Sequence, residues 1–197
     1  MLVTDHALLA GRDLVEVCRT AARGGVTSIQ LRLQHTTPRR LLQELRRLQA
    51  AVDLPVLVND RLDVAIAGGA AGVHLGPDDV PVDLARRVAP PGLIIGASVG
   101  TDAEVENGRA ADYWGIGPFR ATGTKADAGA ALGGAGFSHL VNLAGRDRCC
   151  VAVGGVRPED VPDILRWGGT GVAVVSGILS AEDLEGAARR YASALTG

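Results

Sequence analysis

The stretch Val56-Leu57-Val58-Asn59-Asp60-Arg61-Leu62-Asp63-Val64-Ala65-Ile66-Ala67-Gly68-Gly69-Ala70-Ala71-Gly72-Val73-His74-Leu75 holds the repeating unit of this chain. An apolar run of strand length, Val56–Val58, is followed by a longer stretch, Arg61–Ala67, that exits through Gly68-Gly69, and a second apolar run, Gly72–Leu75, closes the unit. Strand, helix, strand in this order argues for parallel pairing with the helix as crossover. The same alternation runs outward in both directions. Upstream lie Leu2–Val3, Arg12–Arg23, Ser28–Leu31 and Pro38–Val52. Downstream lie Pro81–Val88, Leu93–Ala97, Asp102–Gly108, Tyr113–Ile116, Phe137–Ala144, Cys150–Val153, Pro158–Trp167, Gly171–Val175 and Ala181–Ala192. Eight strand and helix pairs, with strands apolar on both faces, predict a closed (β/α)8 TIM barrel of the α/β class rather than an open doubly wound sheet. No linker or composition shift divides residues 1–197, so one TIM-barrel domain is expected.

The helices are read from spacing. Leu41, Leu42, Leu45, Leu48 and Val52 recur at intervals of three and four, while Arg39, Arg40, Glu44, Arg46 and Arg47 fill the other face, so this helix has one buried side. Thr37-Pro38, Asp102 and Arg157-Pro158-Glu159-Asp160 mark helix starts, and Gly24-Gly25, Gly68-Gly69, Gly108 and Gly168-Gly169 mark exits.

Composition excludes several classes. Hydrophobic residues make up 47% and charged residues 21%, which is ordinary globular usage. Glycine, at 27 of 197, is enriched without a collagen period, which points to tight turns and close backbone approaches. A net charge of −2, no basic block and 3% aromatics argue against nucleic acid as a partner. No apolar run nears the roughly 20 residues of a membrane span, and the first residues carry no signal-peptide pattern, so a cytoplasmic location without membrane contact is expected. Cys18, Cys149 and Cys150 are an odd set read as core thiols. There is no P-loop and no dinucleotide fingerprint.

In a barrel the chemistry sits where strands end at the C-terminal side, and there the polar residues collect. The second strand ends in Gln30-Leu31-Arg32-Leu33-Gln34, the third in Asn59-Asp60, the fourth in His74 through Asp79, and the fifth in Ser98. The sixth is followed by a long insertion, Pro118–Gly136, with Arg120, Thr122, Gly123, Thr124 and Lys125; the seventh by Gly154-Gly155; the eighth by Ser176-Gly177. Asp60 and Asp79, on neighbouring mouths, suit a divalent cation that also takes phosphate oxygens, against the alternative that each caps a helix. Lys125 is the only lysine beside nineteen arginines, which suggests that a compact ammonium is needed there. The glycines and Ser176 after the last strands suit a phosphate on backbone N–H groups. His74 is read equally as a hydrogen-bonded mouth residue and as a ligand contact; His6, His35 and His139 are read as loop or surface residues.

With these residues assembled, the chain resembles the thiamine-phosphate synthase family over essentially its full length. The resemblance rests on Leu2-Val3-Thr4-Asp5, Gln30-Leu31-Arg32, Val58-Asn59-Asp60-Arg61, Gly72 to Gly76 with Asp79, Gly96-Ala97-Ser98, Gly117-Pro118 through Thr122-Gly123-Thr124-Lys125, Val153 to Val156, and Val174-Val175-Ser176, all in family order. It implies a transferase that couples an aminopyrimidine methyl diphosphate with a carboxythiazole phosphate, releasing pyrophosphate through a pyrimidine cation. By the same resemblance Gln30, Arg32, Gln34, Asn59, Ser98 and Lys125 fall in the pyrimidine diphosphate site, with Arg32, Ser98 and Lys125 catalytic. Asp60 and Asp79 would bind Mg²⁺, and Thr122, Gly123, Thr124, Gly155, Val175 and Ser176 would hold the thiazole phosphate.

Three positions depart from the pattern. Gln34 stands where the family has a lysine, Arg120 stands where an aromatic residue is common and is a candidate to replace that charge, and Gly100 stands where the family has a histidine. The sister thiazole tautomerases rely on a histidine near position 100 and lack the Thr-x-Thr-Lys loop; they form the rival reading, beside a non-catalytic phosphate-binding relic. A homo-oligomer is left open, since the sequence shows no decisive exposed apolar stripe.

Overall fold

The computed structural model describes residues 1–122 and 129–197. Eight parallel strands follow one another in sheet order: β1 (Leu2–Val3), β2 (Ile29–Leu31), β3 (Val56–Asn59), β4 (Gly72–Leu75), β5 (Ile94–Val99), β6 (Tyr113–Ile116), β7 (Cys149–Val153) and β8 (Gly171–Ala173). The ring closes where β8 runs on to Val174. There Val3 N–H donates to the Val174 carbonyl at 2.9 Å and Val174 N–H to that of Met1 at 3.0 Å. The expected (β/α)8 barrel is what the chain forms.

The described helices are α1 (His6–Leu9), α2 (Leu14–Arg23), α3 (Pro38–Gln49), α4 (Leu62–Gly68), α5 (Val82–Val88), α6 (Val105–Gly108), α7 (Gly133–Ala144), α8 (Val161–Arg166), α9 (Ser176–Leu179) and α10 (Leu184–Thr196). α3 shows why they form. Thr37 accepts from Arg40 N–H at the start, Pro38 occupies the first turn, and Leu41, Leu45 and Leu48 are buried. Each buried leucine is worth about 1.5 to 3 kcal/mol. Glu44, expected on the exposed face, is buried instead, and Arg40 and Arg47 hold its carboxylate at 2.5 and 2.7 Å. The short helices α1 and α9 and the 3-10 turns ahead of α6 and α8 were not expected; they are too short to carry a periodic pattern. Thr101 rather than Asp102 caps the turn before α6, in a reciprocal pair with Glu104.

Side chains alternate across each strand, and the two faces differ. One face, with Ile29, Leu31, Val58, Leu75, Ile95, Trp114 and Ile116, packs under the helices in one apolar cluster with Cys18, Leu45, Leu48, Phe137 and Ile164. The alternate positions, Gln30, Asn59, His74, Ser98 and Tyr113 among them, lie outside that cluster and face the barrel axis. So the inward face mixes polar side chains with apolar ones such as Val3 and Leu57, where apolar strands were expected on both sides. Cys149, expected inside, is exposed, while Cys18 and Cys150 are buried. Val80, ahead of α5, and Leu84 and Val88 on it are exposed apolar residues that the sequence reading did not single out. Among the described residues no helix is long and apolar enough to cross a membrane.

Candidate active site

The C-terminal ends of the strands carry the polar set, and each member is held by its own strand. Thr4 and Asp5 end β1. The Thr4 hydroxyl donates to the Arg32 carbonyl at 3.0 Å and accepts from the Arg32 N–H at 2.8 Å, which stitches the ends of β1 and β2 together. Asp5 then holds the Arg32 guanidinium through Nη1 at 2.7 Å, with the two side chains 6% and 11% exposed. The other oxygen of Asp5 accepts from Leu8 N–H at 3.1 Å and starts α1. Arg32 therefore stands at the mouth with its direction set by a buried carboxylate. Gln34, two residues on, is exposed in the following turn.

Asn59 ends β3, opposite His74 of β4. Asp60 follows in the left-handed region at φ 65°, an unusual place for a residue with a side chain, and its N–H donates to the His74 carbonyl at 2.8 Å. Asp79 closes the turn after β4, where it accepts from Gly76 N–H at 2.6 Å. Arg61 and Pro81, the cap positions of α4 and α5, make no side-chain cap bond; Asp60 and Asp79 stand one and two residues ahead of them. Both residues offer carboxylate oxygens from adjacent strands, a hard donor set that suits Mg²⁺ completed by phosphate oxygens.

Ser98 lies on β5 and reaches His74 Nε2 at 3.0 Å, while His74 Nδ1 meets the Tyr113 hydroxyl at 2.9 Å. Gly100, two residues further, lies so close to the next strand end that a Cβ there would stand 2.5 Å from the Gly117 carbonyl.

An open cleft of about 880 Å³ is bounded by Asp5, Arg120, Thr122, Gly155, Ser176 and Tyr191. Gly154 and Gly155 hold φ values of 86° and 65°, which lets the chain after β7 pass against Pro118 and Arg120; a Cβ on Gly155 would stand 2.8 Å from that of Arg120. Val175 precedes α9, and Ser176 is its first residue. Gly123, Thr124 and Lys125 lie outside the described residues.

Arg120, in the lining of this cleft, is paired within the protein. Its Nε donates to Asp160 at 2.8 Å and its Nη2 donates to the other oxygen of the same carboxylate. Asp160 also accepts from Arg157 N–H at 2.9 Å, and its side chain is 9% exposed. The Arg120 guanidinium holds this carboxyl below its ordinary value. Sequence reasoning missed Asp5, Tyr113 and Asp160. Asp5 follows a strand of two residues, too short to announce its end, and Tyr113 begins its strand instead of ending it.

A family model described as thiamine monophosphate synthase matches residues 1–178. A thiamine-phosphate synthase of Xanthobacter autotrophicus is 44% identical, over 98% of this chain and 93% of its own length. One from Methanoculleus marisnigri is 42% identical, over 95% of this chain and 90% of its own. Among solved structures, thiamine phosphate pyrophosphorylase from Pyrococcus furiosus superposes with a TM-score of 0.84 at 33% identity, covering 99% of this chain and 94% of the other. Matches of this extent make the chain an enzyme, a transferase, and it belongs to the thiamine monophosphate synthase family.

Proposed function

We propose that the chain couples 4-amino-2-methyl-5-(diphosphooxymethyl)pyrimidine with a (carboxy)thiazole phosphate to give thiamine phosphate and pyrophosphate, in a Mg²⁺-dependent reaction in the cytoplasm. The observation that supports this reading is the polar set at the C-terminal ends of the strands beside an open cleft. Arg32, Asp60 and Asp79 follow β2, β3 and β4 and suit a diphosphate and a cation. The cleft at Gly155 and Ser176 suits a monophosphate on backbone N–H groups.

In this mechanism Gln30, Asn59 and Ser98 hold the pyrimidine ring from the inward face. The bond between the methylene carbon and the diphosphate oxygen breaks with its electron pair leaving on the diphosphate, and the thiazole nitrogen then attacks the methylene carbon; where the thiazole carries its carboxylate, that group leaves as CO2 and a proton from solvent is taken up. Arg32 and Lys125 stabilise charge on the departing group, and no strong base is needed. Mg²⁺, held by Asp60 and Asp79, would neutralise further charge on the diphosphate. Thr122, Gly123, Thr124, Gly155, Val175 and Ser176 hold the thiazole phosphate so that its ring faces the cation. Gln34 contributes no charge to the diphosphate, and Arg120 is committed to Asp160. The tautomerase alternative loses ground at Gly100, since it relies on a histidine that this chain does not have there.

The test is pyrophosphate release and coupled-product formation by the purified protein, with and without Mg²⁺. Metal-dependent product is expected. Binding of both substrates without product would overturn the reading in favour of a relic.

A further inference from the structure

Inside the barrel a file of polar side chains crosses from β2 through β6 and β4 to β5. Gln30, Tyr113 and His74 are 5%, 7% and 9% exposed, so each must find partners within the protein. The Gln30 side chain bonds the Tyr113 hydroxyl, Tyr113 meets His74 Nδ1 at 2.9 Å, and His74 Nε2 meets the Ser98 hydroxyl at 3.0 Å. The file is built into the backbone. A Cβ on Gly96 would stand 2.1 Å from the Tyr113 ring, and one on Gly115 would stand 3.0 Å from His74 Cε1, so glycines in β5 and β6 open the space the two rings occupy.

The contacts fix the rings in place. Tyr113 is held between His74 and Gln30, whose amide nitrogen also faces the Met1 sulfur at 3.7 Å, a weak acceptor. Bonds on both ring nitrogens set the plane of the His74 imidazole, and with it the place of the Ser98 oxygen at the mouth.

We propose that His74 and Tyr113 are positioning residues that aim the Ser98 hydroxyl at the pyrimidine diphosphate. This deepens the function proposed above and rests on it for the ligand.

Two experiments test it, and they fail separately. In ¹⁵N-labelled protein without substrate, imidazole correlations report on His74 and are assigned by their loss in His74→Gln. Tyr113→Phe and Ser98→Ala should each shift them, and correlations unchanged in both variants overturn the proposal whatever the protein catalyses. In the coupling assay, Tyr113→Phe and His74→Leu should each lower kcat/KM for the pyrimidine diphosphate roughly 10- to 100-fold, the range of one hydrogen bond to an anionic ligand, with KM for the thiazole phosphate within about twofold. His74→Gln, whose amide can bond the Ser98 hydroxyl from the Nε2 place, should recover most of the loss. In a Ser98→Ala background the Tyr113 and His74 substitutions should cost almost nothing further, because they act through that hydroxyl. Equal losses with and without Ser98 would mean a structural role and would overturn the proposal.

Discussion

Removing the Asp5 carboxylate is expected to cost far more than a charge at the edge of a surface cleft suggests. Asp5 makes two bonds, a 2.7 Å contact to the Arg32 guanidinium and a 3.1 Å cap on Leu8 N–H, and its side chain is 6% exposed. Breaking a buried pair by deleting one partner costs about 3 to 5 kcal/mol, since the remaining charge is buried and uncompensated. A lost helix cap adds about 1 kcal/mol. Asp5→Ala should therefore lose about 4 to 6 kcal/mol, a large share of the roughly 5 to 15 kcal/mol by which a domain is stable. The assay is equilibrium unfolding in urea, followed by circular dichroism and by fluorescence of Trp114 and Trp167. At a slope of about 2 kcal/mol/M the midpoint should fall by about 2 to 3 M. Asp5→Asn, which keeps the cap and a neutral acceptor, should lose less. Asp5→Leu combined with Arg32→Met should recover much of the stability but none of the activity, because the burial cost of the charges disappears with both of them. A loss under about 1 kcal/mol for Asp5→Ala, with no coupling to Arg32, is the behaviour of a solvated pair and would refute the reasoning.

Asp160→Asn should be less stable than the parent at neutral pH. The folded carboxyl lies below the ordinary 3.8, chiefly through its hydrogen bond to Arg120, so its contribution is complete above the unfolded value and is lost as pH falls through the folded one. The stability difference between parent and variant, measured by urea unfolding, should shrink over that acid range; a difference constant with pH would contradict the pairing. Thiol labelling should find one fast cysteine, Cys149, in the native protein and three after unfolding. Burial pushes Cys18 up to about 12 and Cys150 up to about 11, which leaves both poor nucleophiles as well as hidden. Two or more fast thiols in the native state would place β7 differently.

The sequence by itself determined the eightfold alternation, because strand and helix periods are local properties that each segment carries in its own spacing. It also determined the placement of Gln30, Arg32, Asn59, Asp60, Asp79 and Ser98 at strand ends, since parallel strands in a barrel send those ends to one face. Tertiary structure decided who pairs with whom. Arg120 reads as a free cation until Asp160, 40 residues away, takes both of its forks. Glu44 reads as a surface acid until α3 packs and two arginines close over it. The file from Gln30 to Ser98 joins residues that are neighbours only across the closed ring, and no window along the chain contains more than one of them. Such contacts depend on strand register and on the space two glycines leave at their partners' rings, quantities that exist only once the barrel has closed.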